Sequence, residues 1–341
     1  MGKFHQTVHG GGNLSTIKVA ILGFGTVGEG VYRIINEKKN EIKLRTGYDI
    51  EISSIVVRDL AKKRIETPGI KITDSVQEVF ENPDIDLVFE AIIGEEPAFS
   101  YLSKVISKGV NVITANKAMF AKHGPALIKQ AKDHNVQIGF EATTAGGVPI
   151  IRTIENLLLS DQIQRIQGIL NGTSNFILTK MRQEGLPFEV ALKEAQVNGF
   201  AEADPSDDVG GIDAFRKLMI LSDLAFGRQP DWDEIAINGI GDIRDNDVLS
   251  ANEKDLRYRH IADISIDENG NISGSVGPVL IDSAHPLYGV DGVDNAIIVD
   301  TEYLGSLTLI GPGAGMYPTA SAMISDFLHI VGKREQILIT N

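Results

Sequence analysis

The sequence of 341 residues contains no cysteine. This absence excludes disulfides, thiolate metal sites and a cysteine nucleophile, and it is typical of cytoplasmic proteins, so we expect a cytoplasmic location. The seven histidines show no metal-ligand spacing such as HxxxH, which argues against a histidine-built zinc site. No apolar run approaches the roughly 20 residues of a membrane span.

Positive charge is also scarce, because 32 Lys and Arg face 46 Asp and Glu and the formal net charge is −14. This acidic excess argues against nucleic acid and anionic membranes as partners, which leaves a small molecule as the expected one. The length indicates two domains of roughly 150 residues each. The polar, glycine-rich residues 1–15 lack the apolar core of a signal peptide, and we interpret them as a flexible tail.

Short apolar runs alternate with longer amphipathic stretches in the first half of the sequence. Within the runs the apolar residues are continuous, which is typical of buried parallel strands. The runs are 17–22, 51–57, 87–92, 110–114 and 136–140, and helical spacing is found at 27–44, 76–81, 95–108 and 123–134. This order predicts an α/β domain with a doubly wound, Rossmann-type parallel sheet.

The pattern changes beyond residue 150. It predicts a strand at 165–170, helices near 173–184, 187–197 and 208–227, strands at 259–266, 272–281, 295–301 and 306–311, and a closing helix at 319–332. The later strands alternate polar and apolar residues more clearly than the earlier ones. We therefore expect a second, α+β domain with a mixed sheet.

The first strand leads into a GxGxxG pattern formed by Gly23, Gly25 and Gly28. In a strand–turn–helix context these glycines give a tight turn, let the backbone approach a pyrophosphate and let helix and strand pack closely. The helix N-terminus then supplies N–H groups for the phosphates. The pattern predicts dinucleotide binding, and the alternative is a glycine-rich turn used only for packing.

The end of the second strand bears on the choice between NAD and NADP. An acidic residue about 20 positions past the glycines would bind the ribose of NAD, but Asp59 lies further along, after a long first helix. Arg58, Lys62 and Lys63 instead offer positive charge to a 2′-phosphate. The sequence favours NADP over NAD, and a solvated basic helix start remains the alternative.

Polar residues follow several predicted strands. Asn116 and Lys117 come just past an inner strand, at the edge where open α/β sheets bind ligands. The bend after Glu141 reads as a domain hinge, although its carbonyls are also suited to a hard cation. Residues 171–174 are typical of a helix cap, and the same N–H groups would bind a substrate carboxylate.

The segment from Phe200 to Phe226 places five carboxylates in front of a helix that is apolar on nearly every side. Such a helix is buried, so the pair Asp213 and Lys217 is interpreted as the lining of a pocket. A small amino acid fits these charges, because its ammonium would bind Glu202 and Asp213 while Lys217 moved a proton. Burial, or a second positive group such as Lys117, would help a lysine to exchange protons near neutrality.

Six motifs together resemble homoserine dehydrogenases. They are GFGTVG at 23–28, TANKA at 114–118, EATTAGGVPI at 141–150, GILNGTSNFIL at 168–178, AEADPSDDVGGIDAFRK at 201–217 and GPGAGMYPTASAMISD at 311–326. The resemblance implies NAD(P)-dependent interconversion of L-homoserine and L-aspartate 4-semialdehyde, on the route to threonine, methionine and isoleucine. It also implies a homodimer and a short form without a C-terminal regulatory domain.

The pattern along the sequence indicates four domain segments, to which the resemblance adds the roles. The segments are a tail at 1–15, an NAD(P)-binding domain at 16–145, a substrate, catalytic and dimerisation domain at 146–305, and a C-terminal helix at 306–341 that returns to the first domain.

The resemblance assigns roles to particular residues. Lys217 is the expected proton donor and acceptor and Lys117 contacts cofactor and substrate oxygen, while Asp213 orients Lys217 and holds the substrate with Glu202. Gly172 and Thr173 face the substrate carboxylate. The expected cofactor contacts are Gly23, Phe24, Gly25, Thr26, Val27, Gly28, Arg58, Ile92, Lys117, Gly313 and Gly315. A sodium-like ion is expected at Glu141, Thr144, Gly146 and Val148.

The sequence departs from the family pattern at Phe200, where a tyrosine is common, so one polar contact to the substrate is missing. Two other functions remain open, another two-domain NAD(P) dehydrogenase and a catalytically silent dinucleotide sensor. Aspartate-semialdehyde dehydrogenase is disfavoured because its chemistry needs a cysteine nucleophile.

Overall fold

The computed structural model describes residues 16–339, so the tail expected at 1–15 lies outside the described residues. The chain divides into two compact units. The first runs to Thr143 and resumes at Gly315, and the second is Thr144–Ala314.

The elements of the first unit alternate strands and helices from its beginning. They are β1 (Thr16–Leu22), α1 (Thr26–Thr46), β2 (Asp49–Val56), β3 (Lys71–Thr73), α2 (Gln77–Glu81), β4 (Leu87–Glu90), α3 (Ala98–Ser107), β5 (Asn111–Thr114), α4 (Lys117–Asp133) and β6 (Ile138–Gly139), followed by a 3₁₀ turn at Glu141–Thr143. The six strands form one parallel sheet in the order β3-β2-β1-β4-β5-β6. The predicted doubly wound sheet is confirmed.

The second unit begins with helices and ends in strands. Its elements are α5 (Ile150–Leu157), β7 (Ile163–Ile169), α6 (Gly172–Glu184), α7 (Phe188–Val197), α8 (Ser206–Val209), α9 (Ile212–Phe226), β8 (Ala236–Ile237), α10 (Asp245–Asn252), β9 (Arg257–Ile266), β10 (Ile272–Ile281), β11 (Asp294–Thr301) and β12 (Ser306–Pro312). The sheet order is β12-β11-β7-β9-β10-β8, with all pairs antiparallel except β8 with β10. The predicted mixed sheet is confirmed.

The last helix, α11 (Met316–Ile339), belongs to the first unit. It packs against α1 where Gly30 leaves room for it, because a Cβ at Gly30 would lie 2.8 Å from the Met316 carbonyl oxygen. Further along, Asp326 accepts the Glu141 N–H at 2.9 Å and the Phe327 ring lies 6.0 Å from that of Phe89. The helix therefore completes the core of the parallel sheet.

Several details differ from the predicted elements, and the helices α5 and α10 and the two-residue strand β8 were not predicted at all. The strand β3 was missed because three residues are too short for a periodic pattern. The single helix predicted at 208–227 was wrong, because the chain breaks at Gly210 and Gly211 into α8 and α9. Gly211 has φ +88°, a left-handed conformation that glycine adopts without strain, and this turn ends the first helix and starts the second.

Among the described residues, no helix is long and apolar enough to cross a membrane.

Truncation of Phe89 tests the core of the first unit. This ring is fully buried in the middle of β4, so Phe89→Ala should lower the free energy of unfolding by about 3–5 kcal/mol through lost burial and a residual cavity. Urea unfolding followed by circular dichroism measures the loss. The control Leu44→Ala changes a side chain that is 86% exposed and should stay within about 0.5 kcal/mol of the wild type. Equal losses for the two variants would contradict this packing.

Candidate active site

The glycine loop after β1 has the shape that a pyrophosphate requires. Gly23 has φ +89°, and a Cβ there would lie 2.5 Å from the Ala91 carbonyl oxygen. A Cβ at Gly28 would lie 2.1 Å from the Gly23 carbonyl oxygen, so both positions need glycine for packing. Gly25 differs, because no atom lies within 4 Å of its would-be Cβ. The backbone is therefore open to a ligand at Gly25, where α1 begins without a side-chain cap.

The residues around this loop divide into buried and exposed groups. Phe24 is buried and meets the Tyr32 ring edge-on at 5.8 Å, so it holds the loop against α1. Thr26 is exposed and Val27 is half-buried. Arg58 is exposed just beyond β2, whereas the Asp59 carboxylate accepts the Ala61 N–H at 2.8 Å. The Arg58 guanidinium is thus more available to a ligand than the Asp59 carboxylate.

The ends of β4 and β5 are tied together by side chains. Asn116 caps α4 by accepting the Met119 N–H at 3.1 Å, and its amide donates to the Gly94 carbonyl at 2.7 Å. These bonds fix the start of α4, whose first residue is the half-buried Lys117. The predicted position of Lys117 at a strand end is thereby explained.

Glu90 is a buried carboxyl at this edge that the sequence did not single out. It ends β4 and accepts the Ile92 N–H at 2.6 Å and the Thr114 hydroxyl at 2.5 Å. Burial raises its pKa to about 7, although hydrogen bonds from Thr114, Ile92 and Asn116 lower it. A signal for it was present in the sequence, because Glu90 is a carboxylate inside the otherwise apolar run LVFEAI.

The second unit buries an ion pair on α9. Lys217 Nζ lies 2.8 Å from Asp213 Oδ2, and the two side chains are 8% and 4% exposed. The same ammonium donates to the Leu170 carbonyl at 2.5 Å, at the end of β7. Residues four apart on one helix face are neighbours, as the sequence predicted for this pair.

Two asparagines position this pair. Asn171 accepts the Ser174 N–H at 2.8 Å as the cap of α6, and its amide donates to Asp213 at 2.9 Å and to Asp208 at 2.7 Å. Asn295 on β11 donates to the Leu170 carbonyl at 3.0 Å. The sequence identified Asn171 only as a cap and missed Asn295, because 125 positions separate the latter from Leu170.

A buried histidine lies behind the start of α9. The His260 ring on β9 is 1% exposed, and its Nε2 lies 3.0 Å from the Asn238 carbonyl oxygen. Burial lowers its pKa, so the imidazole is neutral near neutral pH. A Cβ at Gly211 would lie 3.2 Å from this ring, so the histidine packs directly on the glycine that begins α9.

The five carboxylates from Glu202 to Asp213 separate into different roles. Asp213 is buried and Asp207 pairs with Arg216. Asp204 accepts the Ser206 N–H at 3.1 Å, and hydrogen bonds from the Ser206 hydroxyl and then from its N–H lower the pKa of Asp204. Glu202 is exposed, and its backbone carbonyl accepts the Gln196 amide at 3.2 Å. Two of the five thus act locally at the surface.

The predicted substrate contacts on α6 have structural roles as well. A Cβ at Gly172 would lie 2.5 Å from the Val293 carbonyl oxygen, so glycine allows close packing there. The Thr173 hydroxyl donates to the Phe200 carbonyl at 2.6 Å. The Phe200 ring is 42% exposed and meets Phe176 edge-on at 5.1 Å, a packing role that needs no tyrosine hydroxyl.

The residues expected to hold a cation fall in both units. Glu141 is buried in the 3₁₀ turn of the first unit. In the second unit Thr144 and Val148 are buried, and Gly146 has φ +50°. Carboxylate and backbone oxygens are the ligands that a hard cation prefers, so the donor set fits such an ion in kind.

The glycines of the GPGAG motif lie in different units. Gly313 belongs to the second unit, where a Cβ would lie 2.0 Å from the Asn295 side chain. Gly315 belongs to the first unit and has φ +121°. Packing alone therefore explains glycine at 313, and backbone conformation explains it at 315.

Comparison with known proteins bears on both units. Residues 23–141 match the family model "Homoserine dehydrogenase, NAD binding domain", and residues 149–328 match the model "Homoserine dehydrogenase". The chain is 41% identical to the homoserine dehydrogenase of Bacillus subtilis (strain 168), over 93% of this chain and 73% of that protein. The chain belongs to the homoserine dehydrogenase family.

Solved structures of homoserine dehydrogenases have the same fold. One from Thiobacillus denitrificans superposes with a TM-score of 0.88 at 39% identity, covering 93% of this chain and 73% of that one. A putative homoserine dehydrogenase from Archaeoglobus fulgidus gives 0.83 at 32% identity, covering 93% and 99%. A hyperthermophilic archaeal homoserine dehydrogenase in complex with NADPH gives 0.80 at 32% identity, covering 93% and 98%.

The function expected from the resemblance follows from this membership. Homoserine dehydrogenases are NAD(P)-dependent oxidoreductases. The reaction that they catalyse interconverts L-homoserine and L-aspartate 4-semialdehyde. The comparisons give no support to the two other functions that the sequence left open.

Gly25→Ala tests the glycine loop. The added Cβ enters open space, so the variant should fold with wild-type stability and bind NADP weaker by roughly tenfold or more, because the methyl group occupies the space of the phosphates. Isothermal titration calorimetry measures the affinity. The control Gly241→Ala also adds a methyl group in open space, in the other unit, and should bind as the wild type does. Unchanged affinity in Gly25→Ala would exclude close approach of the pyrophosphate.

Proposed function

We propose that Lys217 moves the hydroxyl proton of homoserine in this reaction. The observation that carries the proposal is the buried contact of its ammonium with Asp213 and with the Leu170 carbonyl. Two acceptors at fixed distances hold Nζ in one place, and a group so placed exchanges a proton with a hydroxyl at hydrogen-bond distance. Asp213 acts as the orienting group, and Asn171 in turn orients Asp213.

The amino-acid part of the substrate carries an ammonium and a carboxylate, so its site requires both negatively charged groups and groups that bind a negative charge. In this proposal, Glu202 and Asp213 bind the ammonium of the substrate. The backbone N–H groups of Gly172 and Thr173 open α6 and bind its carboxylate, which the helix N-terminus favours. These contacts fix the carbon that bears the hydroxyl relative to Lys217.

The cofactor in this proposal is NADP in preference to NAD. Gly23 to Gly28, with Ile92, form its site on the first unit, and Gly313 and Gly315 add contacts. The exposed guanidinium of Arg58 supports NADP, because arginine binds a 2′-phosphate in two hydrogen bonds. When bound, the nicotinamide supplies the hydride chemistry. Lys117 contacts the cofactor and the substrate oxygen.

A bound monovalent cation such as sodium is a further part of the proposal. The Glu141 carboxylate and the backbone of Thr144, Gly146 and Val148 would hold it. The described residues contain no group of three or more His, Cys, Asp or Glu side chains that could hold a metal ion. A site built mostly from backbone oxygens suits a hard ion of low charge.

We propose that the enzyme is a homodimer that works in the cytoplasm. The sheet of the second unit supports the dimer, because the apolar side chains of Leu280 on β10 and Ile310 on β12 are 43% and 56% exposed. Exposed apolar side chains on one sheet are suited to contact with a second copy. The absence of cysteine is consistent with a reducing compartment.

Lys217→Ala tests the proton carrier. Removal of a general acid and base should lower the kcat of the folded enzyme by about two to four orders of magnitude, and the variant should also be less stable because Asp213 loses its partner. Steady-state oxidation of L-homoserine, followed by absorbance of the reduced cofactor, gives kcat. The control Lys180→Ala removes a lysine that pairs with Glu184 at the edge of α6, and its kcat should stay near that of the wild type. A folded Lys217→Ala enzyme with wild-type kcat would exclude this role.

Arg58→Ala tests the cofactor preference. Loss of a guanidinium that binds the 2′-phosphate should raise the KM for NADP by roughly tenfold or more and leave the KM for NAD nearly unchanged. Initial rates with each cofactor at saturating homoserine measure both constants. Lys38→Ala, which removes a surface charge paired with Glu41, serves as the control. An equal rise for the two cofactors would mean that Arg58 does not bind the 2′-phosphate.

A further inference from the structure

Glu90 occupies the switch point of the parallel sheet. The chain passes from β1 to β2 and β3 on one side, and then returns to β4 on the other side of β1. Glu90 is the last residue of β4, opposite Leu22 of β1 and Thr114 of β5. In doubly wound sheets the dinucleotide binds outside the carboxyl ends of the strands at this point. Glu90 therefore places a carboxyl under the cofactor site.

The carboxyl is joined to both loops that leave this edge. Its oxygens accept from the Ile92 N–H and the Thr114 hydroxyl, and the Asn116 N–H donates to that hydroxyl oxygen at 3.0 Å. The next residue along is Lys117. Each donor in this network is electrically neutral, so the hydrogen bonds satisfy the carboxylate oxygens without cancelling the charge.

The charge state of Glu90 matters because of where it lies. The side chain has no exposure to solvent, and its pKa is raised to about 7 by burial, so above that pH it is ionised in a medium of low polarity. Charges interact more strongly there than in water. The nicotinamide ring is positively charged when oxidised and neutral when reduced, so a buried negative charge nearby distinguishes the two forms.

We propose that the Glu90 carboxylate selects between the redox states of the cofactor, by stabilising the bound oxidised nicotinamide relative to the reduced one. The inference rests on the cofactor site proposed above for the glycine loop. Glu90 then influences which direction of the reaction is favoured on the enzyme, because it determines which redox form of the cofactor binds more tightly. This role is in addition to joining the two loops.

Glu90→Gln tests this role, because glutamine keeps the size and a hydrogen-bonding oxygen but removes the charge. Calorimetric titration of the variant and the wild type with NADP⁺ and with NADPH, at pH 8.5, gives four dissociation constants. The ratio of the constant for NADP⁺ to that for NADPH should rise roughly tenfold in the variant. A purely structural role for Glu90 would weaken both forms equally and leave the ratio unchanged.

Asp84→Asn is the matched control. Asp84 is an exposed carboxylate of the same unit that pairs with Lys18 at 3.0 Å, before β4 and at the opposite end of the strands. The Asp84→Asn variant changes the net charge by the same amount as Glu90→Gln, but at the other end of the strands. Its ratio of the dissociation constant for NADP⁺ to that for NADPH should therefore equal that of the wild type. If Glu90→Gln does not fold, Glu90→Met removes the same charge with an apolar side chain of similar length and should raise the ratio likewise.

The outcomes separate this inference from the cofactor site on which it rests. The role of Glu90 is overturned if the neutral Glu90 variants still bind both forms of NADP and their ratio lies within twofold of the wild-type ratio. That result leaves the cofactor site intact. An equal rise in Asp84→Asn overturns the role of Glu90 too, because net charge alone would then explain the effect. Failure of the wild type to bind either form contradicts the site itself.

Discussion

The buried ion pair between Lys217 and Asp213 is the interaction on which the second unit depends. Taking two charges out of water is costly, and loss of one partner of such a pair typically destabilises a protein by about 3–5 kcal/mol because the other charge is left behind. Apolar residues in the same place would stabilise the fold at least as well. The presence of the pair on a helix that is otherwise apolar is therefore not explained by stability, and it is consistent with the chemical role that we propose for Lys217.

The surroundings of this pair determine several positions that have no chemistry of their own. The Leu170 carbonyl is held by both Lys217 and Asn295, so the end of β7, the start of β11 and the face of α9 meet at one oxygen atom. Glycine is required at 313 because the Asn295 side chain fills the space of a Cβ there. A change at Asn295 or at Gly313 would reach Lys217 through the two hydrogen bonds that meet at the Leu170 carbonyl.

The elements that the sequence predicted well are those with long, uniform patterns. The buried strands of the first sheet and the helices α6 and α7 were predicted to within a few residues, because apolar continuity and helical spacing are local properties. The break at Gly210–Gly211 was not predicted, since the apolar pattern runs on across it and the left-handed turn depends on packing against His260. Glycine alone in such a pattern does not distinguish a helix end from a helix interior.

The candidate site shows the same division. Lys217 and Asp213 were predicted as a pair because they are four residues apart on one helix, whereas Asn295 and His260 come from strands distant in sequence. No local pattern marks a side chain that becomes important only through a partner more than 40 positions away. Asn171 was recognised by its capping position, and its second function, donation to Asp213, requires the fold.

The buried carboxylates of Asp213 and Glu90 are satisfied in opposite ways, and this contrast fits the tasks that we propose for them. Asp213 has a cation at 2.8 Å, so the charge of the pair is nearly cancelled and what remains is a fixed position for Nζ. The hydrogen bonds to Glu90 come from a hydroxyl and a peptide N–H, which leave its negative charge in place. A group that orients a proton carrier needs geometry, whereas a group that acts on a ligand through space needs charge. The structure therefore gives the lysine partner to the first carboxylate and neutral donors to the second.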